Sequence, residues 1–174
     1  PKSLNFELLN PKVNSKILND FKNKYSISNS DFVIGTFSRY EKISSEYLNL
    51  VSQILSGNSS RKIIIAGSND RSLAENKLKK FITRKQAIVL GLSDIHILGN
   101  CCNVFLDTIP FPCGSSAIEI MAKGKPVLSL QHPNLANYKT ARVEELILKD
   151  ADELIKVFER LENDKQFYNN MSIR

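Results

Sequence analysis

Short runs of apolar residues alternate along the chain with stretches in which apolar positions recur every three or four residues. The short runs are almost uniformly apolar and rich in β-branched residues, which is typical of parallel strands covered on both faces. They predict strands at residues 31–37, 62–67, 87–91, 103–107 and 126–130. The longer stretches predict helices at residues 14–25, 45–56, 71–82, 94–101, 115–123, 140–148 and 150–171, the last as one or two helices, with residues 1–13 loose.

A strand followed by a helix, repeated along the chain, predicts an α/β fold: a Rossmann-like, doubly wound parallel sheet with right-handed crossovers. We assign residues 1–30 to a lead-in segment and helix, 31–150 to the Rossmann-like domain and 151–174 to its closing C-terminal helix or helices. Ligands of such sheets bind where the strands reach their carboxyl ends. The candidate site is therefore formed by the loops at residues 38–44, 68–70, 92–94, 108–116 and 131–134.

Composition narrows the function classes. The chain has 174 residues, 42% of them hydrophobic, which fits one domain with a full core. Its net charge of +6 is spread along the chain, so we expect solvated helix faces and no nucleic-acid partner. Cys101, Cys102 and Cys113 match no metal spacing and indicate a reduced, cytoplasmic protein, with Cys113 a small buried residue. No segment has the pattern of a signal peptide or the length of a membrane span.

Two common nucleotide-binding motifs are absent from the sequence. The dinucleotide fingerprint G-x-G-x-x-G does not follow the first strand, which contains only Gly35. Gly124 and Lys125 precede Pro126 and therefore do not complete a P-loop. These absences disfavour NAD binding and P-loop ATP chemistry.

Two loops at the candidate sheet edge carry residues suited to a nucleoside diphosphate. Arg39 and Lys42 supply two cations directly before a helix, and such cations bind diphosphates well. Ser115 and Ser116 can bind phosphate through their hydroxyls and through the amides of a helix start. Glu119, one turn into that helix, can accept hydrogen bonds from two ribose hydroxyls. Singly these residues also fit ordinary surface charge or a capped helix, but together they favour a nucleoside diphosphate.

Three segments resemble the C-terminal domain of GT-B glycosyltransferases: DFVIGTFSRYEKIS, CNVFLDTIPFPCGSSAIEIMAKGKPVLSL and ARVEELILKDADELIKVFERLENDKQFYNNMSIR. They are most similar to the O-linked N-acetylglucosamine transferase group and its bacterial relatives that glycosylate protein side chains. The resemblance spans residues 14–174. It implies that Lys42 contacts the donor diphosphate and Arg39 the nucleotide, and that both stabilise the leaving group during catalysis. It further implies donor contacts at Leu92, Ser93, Gly114, Ser115, Ser116 and Glu119, with Leu92 and Ser93 near the base and Glu119 at the ribose.

The chain departs from the family pattern at two positions. Gly114 stands where the O-GlcNAc transferases carry a histidine, which leaves the identity of the sugar open. Phe111 stands where retaining GT-B families carry a glutamate, which disfavours a retaining enzyme of that type and favours inversion.

The resemblance implies a transferase without cofactor or metal, in which an acceptor hydroxyl or amide displaces a nucleoside diphosphate, with UDP-sugar as the expected donor. The acceptor would be a protein or a glycan. Enzymes of this type close an N-terminal domain over the donor. Because the chain starts at Pro1 without an initiator methionine, we expect a fragment that lacks this domain and binds nucleotide without transferring sugar. Two alternatives remain open: a sugar-nucleotide epimerase domain and a non-catalytic Rossmann-like binding module.

Other polar residues receive structural interpretations from the sequence. Asp70 and Asp94 are expected to cap helices, and Asp107 is expected to orient the loop that follows its strand. His96 is expected to pack within its helix, and His132 to be a loop residue at the strand end.

Overall fold

The computed structural model describes residues 6–67, 71–79, 85–131 and 143–173. The described strands are β1 Phe32–Phe37, β2 Arg61–Ala66, β3 Ala87–Leu90, β4 Val104–Leu106, β5 Val127–Leu130 and β6 Ile147–Leu148. The described α-helices are α1 Phe6–Leu9, α2 Ser15–Lys24, α3 Ser45–Ser56, α4 Arg71–Leu78, α5 Ile95–Cys101, α6 Ser115–Met121, α7 Ala151–Asn163 and α8 Lys165–Ile173. Short 3-10 helices occupy Tyr40–Lys42 and Glu144–Leu146.

The strands form one sheet in the order β3-β2-β1-β4-β5-β6, and every described pairing is parallel. The predicted Rossmann-like, doubly wound α/β fold is therefore confirmed. The chain builds the sheet outward from β1 in one direction and then returns to place β4 on the other side of β1. The strand order thus reverses between β1 and β4, and this is the point at which such sheets bind ligands.

The sheet is covered on both faces because alternate residues of its strands point to opposite sides. Ile34 and Ile63 belong to one buried cluster, which packs against α3, α4, α7 and α8. Val33 and Ile64 belong to the other, which packs against α2, α5 and α6. This double burial explains why the strands read as nearly continuous apolar runs.

A buried ion pair joins the end of α7 to the start of β2. Arg61 is 4% exposed, and its Nε lies 3.1 Å from both carboxylate oxygens of Glu162 while its Nη2 lies 2.6 Å from one of them. The Arg61 Nη1 donates to the carbonyl of Ile54 at 2.6 Å. The arginine is therefore fully engaged as a structural residue.

The prediction of a helix over residues 140–148 is wrong for its described part, while residues 140–142 lie outside the described residues. Residues 144–146 form the 3-10 helix, and Ile147 and Leu148 form β6, which pairs with β5. Leu146, the last residue of the 3-10 helix, and Leu148 in β6 are both buried, while Ile147 between them is half-buried. With only two residues, β6 is too short to give a periodic signal.

The chain ends agree with the prediction at the C-terminus and differ from it at the N-terminus. The closing segment forms two helices, one of the two outcomes that the sequence allows, and Asp164 between them accepts a hydrogen bond from the Phe167 amide at 2.9 Å. The lead-in that the sequence leaves loose includes the short helix α1. A search of the described residues finds no helix whose length and apolar character suit it to crossing a membrane.

Candidate functional site

The reversal of strand order opens a crevice between two loops, one after β1 and one after β4. The helix that follows β1, α3, packs on one face of the sheet, and the helix that follows β4, α6, packs on the other. The two loops diverge for this reason. One contact links them: the ammonium of Lys42 donates to the carbonyl oxygen of Pro112 at 2.5 Å. Because an ammonium has three donors, this bond leaves Lys42 able to bind a ligand as well.

The loop after β1 is short and closely held. Ser44 caps α3 by accepting a hydrogen bond from the Tyr47 amide at 3.0 Å. Gly67, at the end of β2, lies so close to the loop that a β-carbon there would stand 1.8 Å from the carbonyl oxygen of Ser38. The loop therefore runs directly over the end of β2, and Arg39 projects from it as an exposed side chain.

Asp107 organises the loop after β4, as the sequence predicts. Its side chain is 3% exposed, and its Oδ1 accepts from the amides of Thr108 at 3.0 Å and Cys113 at 2.6 Å. Its Oδ2 accepts from the hydroxyl of Ser129 at 3.1 Å. The Thr108 hydroxyl in turn donates to the Phe111 carbonyl at 2.5 Å. The loop is fixed from both ends, and its backbone conformation is set by a buried carboxylate.

Gly114 turns the chain from this loop into α6. Its φ of 72° lies in the region that disfavours any residue with a β-carbon, so glycine is required here for conformational reasons. Ser115 is exposed and Ser116 is half-buried in the first turn of the helix. The first amides of a helix have no acceptor within it, so those of Ser115 and Ser116 have no hydrogen-bond acceptor inside α6.

A cavity of about 390 Å³ lies at the carboxyl ends of β1, β2 and β3. The predicted site residues among its lining are Arg39, Leu92, Ser93 and Ser116. The side chain of Leu92 is 85% exposed. Three separate loops thus converge on one cavity, and residues 77 positions apart in the sequence face the same space.

The remaining predicted site residues are not among the described lining of this cavity. Lys42 and Gly114 belong to the two loops of the crevice, and Ser115 begins α6. Glu119 is half-buried one turn further along α6. The structure therefore brings the diphosphate and base candidates to one edge of the sheet, with Glu119 furthest along the helix.

The carboxylate of Glu119 acts electrostatically on Lys123, four residues later. Burial lowers the pKa of Lys123, and the charges of Glu119 and Asp94 oppose that shift. The Lys123 ammonium donates to the Leu9 carbonyl at 2.7 Å and lies 2.9 Å from His96 Nδ1. Lys123 is thus directed to α1 and α5.

Several residues set aside by the sequence analysis have structural roles. Asp94 caps α5 by accepting from the His96 amide at 2.7 Å, as predicted. His96 is half-buried against Lys123, consistent with a packing role. Cys113 is half-buried, and desolvation, reinforced by the Asp107 charge, raises its pKa to about 12. Asp70 and His132 lie outside the described residues.

Sequence reasoning missed three residues that build the crevice. Tyr40 is fully buried within the loop after β1, and its hydroxyl donates to the Leu90 carbonyl. The hydroxyl of Thr36 lies 2.8 Å from the Leu106 carbonyl and thus joins β1 to β4 beneath the crevice. Gly67 permits the close approach described above. The one sequence signal was Gly67 as the last residue of the predicted strand 62–67, where a glycine is unusual.

The fold is that of the C-terminal half of GT-B glycosyltransferases. An O-GlcNAc transferase from Thermobaculum terrenum matches with a TM-score of 0.73 at 20% identity, over 84% of this chain and 31% of that one. Anabaena Alr3699/HepE in complex with UDP and glucose has a TM-score of 0.73 at 17% identity, over 97% of this chain and 48% of that one. A Rickettsia africae glycosyltransferase has a TM-score of 0.73 at 18% identity, over 98% of this chain and 48% of that one.

The chain spans less than half the length of each of these three proteins. At such identities the likeness establishes a shared fold. No protein-family model matches the chain, and no curated protein matches its sequence.

Proposed function

We propose that the chain is the donor-binding half of a glycosyltransferase and that it binds a UDP-sugar in the crevice between β1 and β4. The observation that carries this proposal is the Lys42–Pro112 contact, since it holds a lysine ammonium between the two loops where the strand order reverses. A cation held there suits a ligand with two adjacent phosphates. The cavity volume of about 390 Å³ lies in the range of small-molecule sites.

In this proposal the donor lies along the carboxyl edge of the sheet. The diphosphate would contact Lys42 and Arg39 on one side and the serines at the start of α6 on the other. Glu119 would accept hydrogen bonds from the ribose hydroxyls. The base would lie against Leu92 and Ser93, whose loop is stiffened by a hydrogen bond from the Ser93 hydroxyl to the Gly91 carbonyl at 3.0 Å.

The proposed reaction is a displacement at the anomeric carbon of the sugar. The acceptor oxygen or nitrogen forms a bond to that carbon while the bond to the diphosphate oxygen breaks, and UDP departs with the electron pair. The acceptor proton passes to a general base, which we expect in the partner domain. Lys42 and Arg39 would stabilise the negative charge that develops on the leaving diphosphate, with no metal or cofactor required.

The donor proposal has support from the structural neighbours. The Anabaena protein was crystallised with UDP and glucose, and it shares this fold over 97% of the chain. Because the chain spans less than half of the neighbours, we propose that an N-terminal domain completes the enzyme and contributes the acceptor site. A protein side chain is one acceptor class consistent with this proposal, and a glycan is the other. The free thiols of Cys101, Cys102 and Cys113 fit the expected reducing, cytoplasmic compartment.

The epimerase alternative is less well supported by the crevice. An epimerase would need carboxylates there to remove and return a proton. Both oxygens of Asp107 already accept hydrogen bonds from the loop and from Ser129. Its buried position suits a structural role rather than proton transfer.

A thermal-shift screen against UDP, GDP, ADP, CMP and NAD tests the proposal. A ligand that binds only the native state raises the unfolding temperature, and the shift grows with the logarithm of the ligand concentration relative to its Kd. We expect a shift with UDP and none with NAD. A shift with a different nucleotide would replace UDP as the donor, and the absence of any shift would contradict nucleotide binding by this chain.

A further inference from the structure

Tyr40 lies in the loop after β1 and has no assigned contact with the proposed donor. It lies between Arg39 and Lys42 in the 3-10 helix of the loop after β1, and its side chain is fully buried. A buried tyrosine hydroxyl needs a hydrogen-bond partner. Its partner is the main-chain carbonyl of Leu90, the last residue of β3.

This hydrogen bond joins the loop after β1 to the end of β3, and these two strands are not neighbours in the sheet. In the strand order, β2 lies between β1 and β3, so Tyr40 reaches from the loop after β1 across the end of β2. Gly67 makes this reach possible because the loop passes directly over it, at a distance that no side chain would allow. The bond acts two residues before Leu92, where the loop that follows β3 begins its turn.

We propose that Tyr40 is a positioning residue that fixes the distance between the diphosphate and base subsites of the donor site. This inference rests on the proposed function and deepens it. Arg39 and Lys42 flank Tyr40 directly, while Leu92 and Ser93 follow the carbonyl that its hydroxyl binds. The two ends of a UDP molecule therefore meet loops that one hydrogen bond holds together.

Loss of the Tyr40 hydroxyl should affect the affinity for UDP differently from the affinities for its parts, pyrophosphate and uridine. A ligand that contacts both loops gains affinity when they are held at the correct separation, because the ordering is done before binding. In this proposal pyrophosphate contacts only the loop after β1 and the start of α6, while uridine contacts the loop after β3 and, through its ribose, Glu119. Loss of the Tyr40 hydroxyl should consequently weaken UDP and spare both fragments.

The test is an NMR titration of the 174-residue chain and its Tyr40→Phe variant with UDP, pyrophosphate and uridine. The phenylalanine fills the same space and removes only the hydroxyl. We expect the affinity for UDP to fall roughly fivefold, which is the loss of about one net hydrogen bond, while each fragment binds within about twofold of wild type.

Tyr168→Phe is the matched control. Its hydroxyl also donates to a main-chain carbonyl, that of Asn103 at 2.7 Å. Asn103 directly precedes β4, so this bond lies at the amino ends of the strands, away from the proposed donor site. Tyr168→Phe should leave all three affinities unchanged. Unchanged UDP binding in Tyr40→Phe, or equal losses for UDP and both fragments, would overturn the positioning role. If wild type bound no UDP, the proposed function itself would fail.

Discussion

Glu119 is the residue whose assignment depends most on the nucleoside part of the ligand. It lies on α6, one turn beyond the serines assigned to phosphate, and it is half-buried. A carboxylate at this position can bind ribose hydroxyls but repels phosphate. Its effect on a nucleotide should therefore differ in kind from that of Lys42.

We predict that Glu119→Ala weakens UDP binding by about 1.5–3 kcal/mol, the range for a hydrogen bond to a charged group. Pyrophosphate has no ribose, so its affinity should stay the same or rise slightly as a negative charge is removed. Calorimetric titration with both ligands measures the difference. Equal losses for UDP and pyrophosphate would exclude Glu119 from ribose recognition.

Cys113 adjoins the same loop and should be chemically inert. With its pKa raised to about 12 by burial and by Asp107, the thiol is protonated at neutral pH, and protonated thiols are poor nucleophiles. At pH 8 only about one molecule in ten thousand would carry the thiolate.

We therefore predict that iodoacetamide leaves Cys113 of the native chain unmodified at pH 8 and that the alkylation rate rises with pH toward 12. Peptide mass spectrometry quantifies the label at each cysteine. The control is the same reaction in urea at about 8 M, a concentration that unfolds a small domain. All three cysteines should react within minutes there. Native Cys113 reacting as fast as in urea would contradict the prediction.

At the scale of elements, the ion pair between β2 and α7 anchors the C-terminal helices to the sheet. Arg61 is buried and meets Glu162 through three contacts of 2.6–3.1 Å, whereas the half-exposed Glu159 lies 3.7 Å from the same arginine. Both glutamates lie on α7 and contact Arg61, so substituting each in turn compares a buried contact with an exposed one.

We predict that Glu162→Gln lowers the free energy of unfolding by about 3 kcal/mol, because it leaves a buried guanidinium with weakened pairing. Glu159→Gln, the matched control, should cost less than about 1 kcal/mol because that pair is largely solvated. Urea unfolding followed by circular dichroism gives both values. Similar losses in the two variants would mean that burial does not determine the strength of this contact.

At the scale of the whole molecule, the sheet could be predicted because its strands are buried on both faces. Their apolar runs can be recognised in the sequence without knowing which strands pair. Topology then located the candidate site at the carboxyl edge. The two-residue strand β6 could not be predicted, since its strand character comes from pairing with β5. Two contacts are also beyond a local pattern: Lys42 with Pro112, 70 positions apart, and Arg61 with Glu162, 101 positions apart.

Tyr40 could not be recognised from the sequence either, because its hydrogen-bond partner is distant in the chain. In the sequence it is one aromatic residue in a polar loop, and no periodicity marks it as buried. Its role follows only when the strand order puts β3 two strands away from β1 and Gly67 lets the loop cross between them. The residue types that carry chemistry were predictable, and so was the role of Asp107 in its loop, but the role of Tyr40 was not because its partner lies 50 positions away.

The account centres on UDP binding in the crevice through Lys42, and calorimetric titration of the chain with UDP tests this most directly. We predict saturable binding to wild type and an affinity lower by roughly 1.5–3 kcal/mol in Lys42→Ala, since a charge-assisted hydrogen bond is lost. The bond to Pro112 is lost as well, so stability should fall by about 1 kcal/mol. Lys156→Ala, an exposed lysine on α7, should bind UDP as wild type does. Equal UDP affinity in wild type and Lys42→Ala, or no binding to either, would contradict the account.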